Sequence, residues 1–308
     1  MKNFSVKNGF GFGAIIFALA AIIALPIRTV QYFTVLEGGT GFFTSNNWSV
    51  YLLYAVLAVS IIAFIVLGLS KRKKLDFLRK AEKRPVFGIF SLISAAGIFS
   101  DGINCISEFI NNAQPIVSYD HYGAQVINTE KLLFGCEAVF AAISAIFFLA
   151  MGLAVISGKT NGSEFRIISL SPIIWAIFRT VFRFTRTISY LRVSELTFEL
   201  LMLIFMIMFF MAFAQVNAQI SSKNCEWKLA GYGLPAALLA IVCFVPRLIV
   251  TLIGRTELLY SYSPVNFCDL AVSLFIIATV FTRLTDKVET TESTEPEEKE
   301  AVNTSVEE

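Results

Sequence analysis

Apolar runs near residues 10–36, 48–70, 86–110, 132–157, 168–190, 196–218, 229–253 and 264–284 alternate with short polar segments along the chain. A helix needs about 20 mainly apolar residues to cross a hydrocarbon core of ~30 Å, so each run is predicted to be one transmembrane helix. The expected fold is all-α: a polytopic transmembrane bundle of about eight helices, arranged as four hairpins, over residues 1–284. The first run follows Lys2 and Lys7 as a signal peptide would. It continues through Pro26 to Leu36 without a small-residue cleavage site, which predicts a retained helix.

Composition supports lipid as the solvent. The chain is 56% hydrophobic with 30 Phe in 308 residues, well outside the balance of a soluble domain. The charges then predict an orientation. The segments 1–9, 71–85, 158–167, 219–228 and 283–287 hold 16 Lys and Arg, whereas the intervening segments on the opposite side hold only Lys131, Arg192 and Arg255. The excess of basic residues marks the cytoplasmic face, so the expectation is a multi-pass cell-membrane protein with both termini in the cytoplasm. Loop 71–85 (KRKKLDFLRKAEKRP) dominates the asymmetry. Residues 285–308 carry nine Asp or Glu against Lys287 and Lys299 and are expected to be a disordered acidic cytoplasmic tail. Without it, 23 basic residues face 14 acidic ones, so the near-neutral total conceals a basic membrane body. A cytoplasmic protein partner would act through loop 71–85 or this tail. Nothing in the charge pattern points to nucleic acid.

One internal echo stands out. Arg28-Thr29-Val30-Gln31-Tyr32-Phe33-Thr34 matches Arg179-Thr180-Val181-Phe182-Arg183-Phe184-Thr185 at five of seven positions. The match fits two parallel four-helix halves related by an axis along the membrane normal.

The candidate chemistry lies in charges within the apolar runs, because such residues are costly in lipid and face protein or water. They are Arg28, Arg179, Arg183, Arg186, Arg247, Asp101, Glu108, Glu137, Glu199 and Asp269. Counted at about 1.5 Å per residue, nearly all of them fall in one layer in the outer half of the membrane. Arg179, Arg183 and Arg186 follow i, i+4, i+7 spacing, so they share a helix face that must look into the bundle. Pro26 and Pro246 lie next to Arg28 and Arg247, where each weakens the helical hydrogen bonding. Tyr32, Tyr190, Tyr260 and Tyr262 are available as hydrogen-bonding walls.

Other chemistries fit less well. Arg at such spacing occurs in voltage sensors, but no filter sequence accompanies it. Asp101 and Asp269 lack the G-x-G-D context of intramembrane aspartyl proteases. His121 is the only histidine, and the five Cys contain no C-x-x-C pair, so neither a metal centre nor a disulfide framework is expected. Gly9-x-Gly11-x-Gly13 follows no strand, which rules out a dinucleotide loop. Asn47-Trp48-Ser49 fits a glycosylation acceptor, with Trp48 also suited to an interface anchor. No enzymatic activity and no cofactor is expected.

Two functions remain. The first is a transporter or solute-binding membrane protein with an outward-facing cavity for a small anionic or zwitterionic solute. Its ligand-binding residues would be Arg28, Arg179, Arg183, Arg186, Arg247, Asp101, Glu137, Glu199 and Asp269. The alternative is a membrane scaffold or accessory subunit in which the same charges are structural ion pairs.

Overall fold

The computed structural model describes residues 6–37, 42–43, 47–70, 84–112, 115–119, 125–158, 163–186, 194–218, 225–259 and 265–285. The fold comprises α1 (Val6–Thr34), α2 (Trp48–Ser70), α3 (Pro85–Asn111), α4 (Thr129–Ser157), α5 (Ser171–Arg186), α6 (Ser194–Ala218), α7 (Cys225–Leu252) and α8 (Phe267–Thr285). Each coincides with one apolar run, with ends within four residues of those read from the sequence. Between α3 and α4 the chain adds a short antiparallel hairpin, β1 (Val117–Tyr119) and β2 (Gln125–Ile127), with Val117 opposite Ile127.

Six of these helices, α1 to α4, α6 and α7, are long and apolar enough to cross a membrane. The chain is thus an integral, multi-pass membrane protein, with lipid as its surroundings. Eight full-length spans are not shown among the described residues. Within the described residues α5 covers 16, Ser171–Arg186, and the apolar stretch of α8 runs from Phe267 to Thr282. At 1.5 Å per residue, a helix of 16 residues covers about 24 Å. The run read as one helix over 168–190 begins instead with 3-10 turns at Ser163–Phe165 and Ile168–Leu170. α5 starts only at Ser171, with Pro172 in its first turn, where a missing N–H leaves no helical bond unmade.

α7 is the centre of the bundle: 78% of its apolar window is buried, against 22% for α1 and 28% for α2. It packs on α1, α2, α6 and α8, while α3 packs chiefly on α4 and α8, and α5 on α4 and α6. Under the two-halves reading α3 and α7 would be equivalent, yet their surroundings differ, so the packing lends that reading no support. The outer surfaces present Leu19, Ile22, Val59, Ile62, Ile89, Ile146 and Leu149. Such a belt is a liability in water and is at ease in hydrocarbon.

Lipid tails are as apolar as leucine, so helix association here rests on close packing and interhelical hydrogen bonds rather than on the hydrophobic effect. Both devices are present. The buried Ser91 hydroxyl donates to the Phe148 carbonyl of α4 at 2.7 Å, and Ser94 donates to the Ala271 carbonyl of α8 at 2.9 Å. A Cβ added at Gly97 would lie 2.6 Å from that of Ala271, so only glycine lets α3 approach α8 this closely. Deeper in the bundle, Phe148, Phe209, Phe213 and Phe275 form a ring cluster, with Phe148 edge-on to Phe275 at a centroid distance of 4.9 Å.

Candidate functional site

The close approach at Gly97 brings the middle of α3 to the start of α8, and the buried charges gather from there toward the C-terminal end of α3. Arg28, Arg179 and Arg247 lie five to seven residues before the ends of α1, α5 and α7, and Asp101 ten before the end of α3. Glu137, Glu199 and Asp269 lie two to eight residues after the starts of α4, α6 and α8. The helices run alternately, so all these positions fall about 3 to 15 Å from one common end. Arg28, Arg179, Arg247, Asp101, Glu137, Glu199 and Asp269 are all buried, with no more than 4% exposure.

Two groups of ion pairs hold the layer. Arg179 Nη1 of α5 meets Asp269 Oδ1 of α8 at 2.7 Å. The guanidinium also lies over the Trp175 ring, 5.5 Å from its centroid, where the face of the π-system favours a cation. Asp269 stands in the first turn of α8, where the helix N-terminus further favours a carboxylate. In the second group Glu199 of α6 bridges two arginines: its Oε1 lies 2.6 Å from Arg247 Nη1 of α7, and its Oε2 3.5 Å from Arg183 Nε of α5. Arg183 is the least enclosed member, with 17% of its side chain exposed.

Arg28 ties α1 to two neighbours. Its Nη1 donates to Gln31 Oε1 at 3.1 Å, and Gln31 Nε2 donates in turn to the Ser49 carbonyl of α2 at 3.0 Å. The guanidinium also lies over the rings of Tyr32, at 5.1 Å, and of Phe198 in α6, at 5.4 Å.

The remaining carboxylates are handled differently. Asp101 receives two neutral donors: Trp175 Nε1 donates to Oδ2 at 3.2 Å and Asn266 Nδ2 to Oδ1 at 2.6 Å. Asn266 also accepts from Cys268 N at 3.0 Å, so one residue both caps α8 and holds Asp101 of α3. Glu137 lies beside Asp101 and Cys105, with one ligating atom from each of the three within 4.8 Å of the others. Among the described residues its Oε2 has no hydrogen-bond partner.

The structure therefore brings together Arg28, Arg179, Arg183, Arg247, Asp101, Glu137, Glu199 and Asp269. The ninth sequence candidate, Arg186, ends α5 with its side chain outside the described residues, as are Tyr190, Tyr260, Tyr262 and His121. The tail 286–308 and most of loop 71–85 also lie outside them. Glu108 is exposed on α3 and stands apart from the layer. Asn47 starts α2, its Oδ1 accepting from Ser49 N at 3.2 Å, while Trp48 is 71% exposed as suits an interface anchor.

Sequence reasoning missed Gln31, Trp175, Asn266 and Cys105. Asn266 precedes Phe267, the first residue of α8, as a capping residue would, but it falls inside the run read over 264–284; Asp101 and Cys105 are four residues apart, hence on one helix face. No signal identified Trp175, whose indole N–H acquires meaning only once α5 lies beside α3. No family model matches the chain, and neither a curated protein nor a solved structure with detectable similarity to it was found, so function must be argued from this site alone.

Proposed function

We propose that this integral membrane protein serves as a multi-helix scaffold or accessory subunit, and that its buried charge layer sets which helices neighbour one another and in what register. One observation carries this reading: Arg179, Arg183 and Arg247 each engage a carboxylate on another helix, at 2.7, 3.5 and 2.6 Å, inside a layer almost closed to its surroundings. Burying a charged pair is costly, and wrong helix neighbours would strand the charges at far greater cost. In this reading loop 71–85 and the acidic tail recruit the partner, with both termini in the cytoplasm as the basic asymmetry implies.

The second reading, a small anionic or zwitterionic solute bound among the same residues, is favoured by a different observation. Pro26 and Pro246 lie inside α1 and α7, two residues before Arg28 and one before Arg247. Prolines inside helices free backbone polar groups, as in transporters built on broken helices.

A thermal-shift comparison of wild type and Arg183→Ala across a panel of small anions and zwitterions separates the two. A scaffold predicts a lower midpoint for the variant and no compound that raises either midpoint. A solute site predicts a stabilising compound for wild type, because a ligand that binds only the folded state stabilises it by mass action, and loss of that effect in the variant. Orientation is tested separately by introducing single cysteines, Lys73→Cys and Glu298→Cys, into a cysteine-free background. Both are expected to react from the cytoplasmic side only. Labelling from opposite sides of intact cells would sink the proposed topology.

A further inference from the structure

The two groups of ion pairs leave Asp101 and Glu137 without an arginine in direct contact. Asp101 and Cys105 project from the same face of α3 one turn apart, and Glu137 of α4 faces them; all three are buried. Among the described residues neither carboxylate has an ion pair within 4 Å. Arg179 is engaged by Asp269 at 2.7 Å. Two carboxylates and a thiol enclosed this closely repel one another once ionised. Glu137 Oε2, on a side chain that is 97% buried by its 3% exposure, has no hydrogen-bond partner. A buried polar atom of this kind calls for a missing partner.

We propose that Asp101, Cys105 and Glu137 form a binding site for a thiophilic divalent transition-metal ion, of which Zn2+ is the type. The donor set selects the class. Two carboxylate oxygens alone would suit Mg2+ or Ca2+, but those ions take oxygen ligands, and the Cys105 sulfur favours a softer metal. Metal–oxygen and metal–sulfur bonds of about 2.0 to 2.3 Å need the three atoms slightly nearer one another than 4.8 Å, which small side-chain rotations supply. The ion would replace the thiol proton, which leaves to solvent, and would set a double positive charge against three negative ligands. Arg179 nearby offsets the remaining charge.

The surroundings also have the form of an outer shell. Ligating carboxylates are usually held by further hydrogen bonds, and Asp101 is held on both oxygens, by Trp175 and by Asn266. Each of those oxygens keeps a second lone pair for a metal. Glu137 lies eight residues into α4, about 12 Å from the hairpin end, so the ion would enter from that side. Three protein ligands leave a fourth position of the usual tetrahedron for water or another donor.

The test uses the full chain purified in detergent, stripped with a chelator and titrated with Co2+, which stands in for Zn2+ and absorbs light. One equivalent should bind with a thiolate-to-cobalt charge-transfer band, and Zn2+ should displace it. Cys105→Ser should remove the band, whereas Cys136→Ser, the control at the neighbouring thiol, should keep it. Trp175→Phe removes a positioning residue for Asp101 and should weaken Co2+ binding by roughly 10 to 100-fold with the band intact. Glu137→Gln should weaken it further. If that variant fails to fold, the nearly isosteric Cys105→Ser decides alone. No charge-transfer band, a band unchanged in Cys105→Ser, or displacement of Co2+ by Ca2+ or Mg2+ as readily as by Zn2+ would each overturn the assignment.

Discussion

Arg179→Ala is expected to destabilise the folded bundle by about 3 to 5 kcal/mol, the usual range when one partner of a buried ion pair is removed. The reason is the charge left behind. Asp269 is 4% exposed, and its Oδ1 has Arg179 as its ion-pair partner at 2.7 Å, so without the guanidinium it must either stay charged in a low dielectric or take up a proton. The variant also strips the Trp175 face of its cation. Denaturation in mixed micelles measures the loss. The informative companion is Arg179→Met combined with Asp269→Leu, which removes both charges and keeps the volume. Replacing a buried pair by apolar residues is often neutral or stabilising, so the double variant should recover most of the loss. A loss under ~1 kcal/mol for Arg179→Ala would mean that the pair behaves like an exposed one, and the enclosed layer would have to be abandoned.

Glu199→Gln is expected to be at least as damaging, because one carboxylate serves two guanidiniums, Arg247 at 2.6 Å and Arg183 at 3.5 Å, on two different helices. The amide keeps the shape but brings its own N–H donors toward groups that are donors only. Arg247, 3% exposed, should account for most of the effect, and Arg183, 17% exposed at its side chain, for less. A double-mutant cycle with Arg247→Met measures the shared part. Residues in one network typically couple by about 0.5 to 3 kcal/mol, so the double variant should lose less than the two singles together. Strict additivity would show that Glu199 and Arg247 do not act as a pair.

These expectations bear on why such a layer is kept. An apolar layer would be easier to bury, but it would not distinguish one helix neighbour from another, since lipid and helix surfaces are alike in polarity. A charge that finds its partner only when α5 meets α8, or α6 meets α7, penalises every other arrangement. In the proposed scaffold this would be a means of specificity rather than of stability. The double variant Arg179→Met with Asp269→Leu is therefore the place where the two separate: stability should return while the unique arrangement of helices loosens.

How much of this was legible in the sequence follows from the physics of each feature. Helix positions were, because lipid permits no unsatisfied backbone and the length of an apolar run is set by the thickness of the hydrocarbon. The common depth of the charges was too, since the rise per residue is constant and depth follows from counting along each run. The start of α5 at Ser171 was not: residues 168–170 are as apolar as the helix they precede, and their 3-10 geometry depends on what they pack against. Nor could spacing say which carboxylate each arginine takes. Depth alone puts Glu137 and Asp101 nearer the level of Arg179 than Asp269, and only the rotation of each helix about its own axis gives Arg179 to Asp269, gives Asp101 to Trp175 and Asn266, and sets Glu137 beside Cys105. That rotation is decided by contacts such as Gly97 against Ala271 and Ser94 against its carbonyl. Each is too small and too nonlocal to leave a period in the sequence.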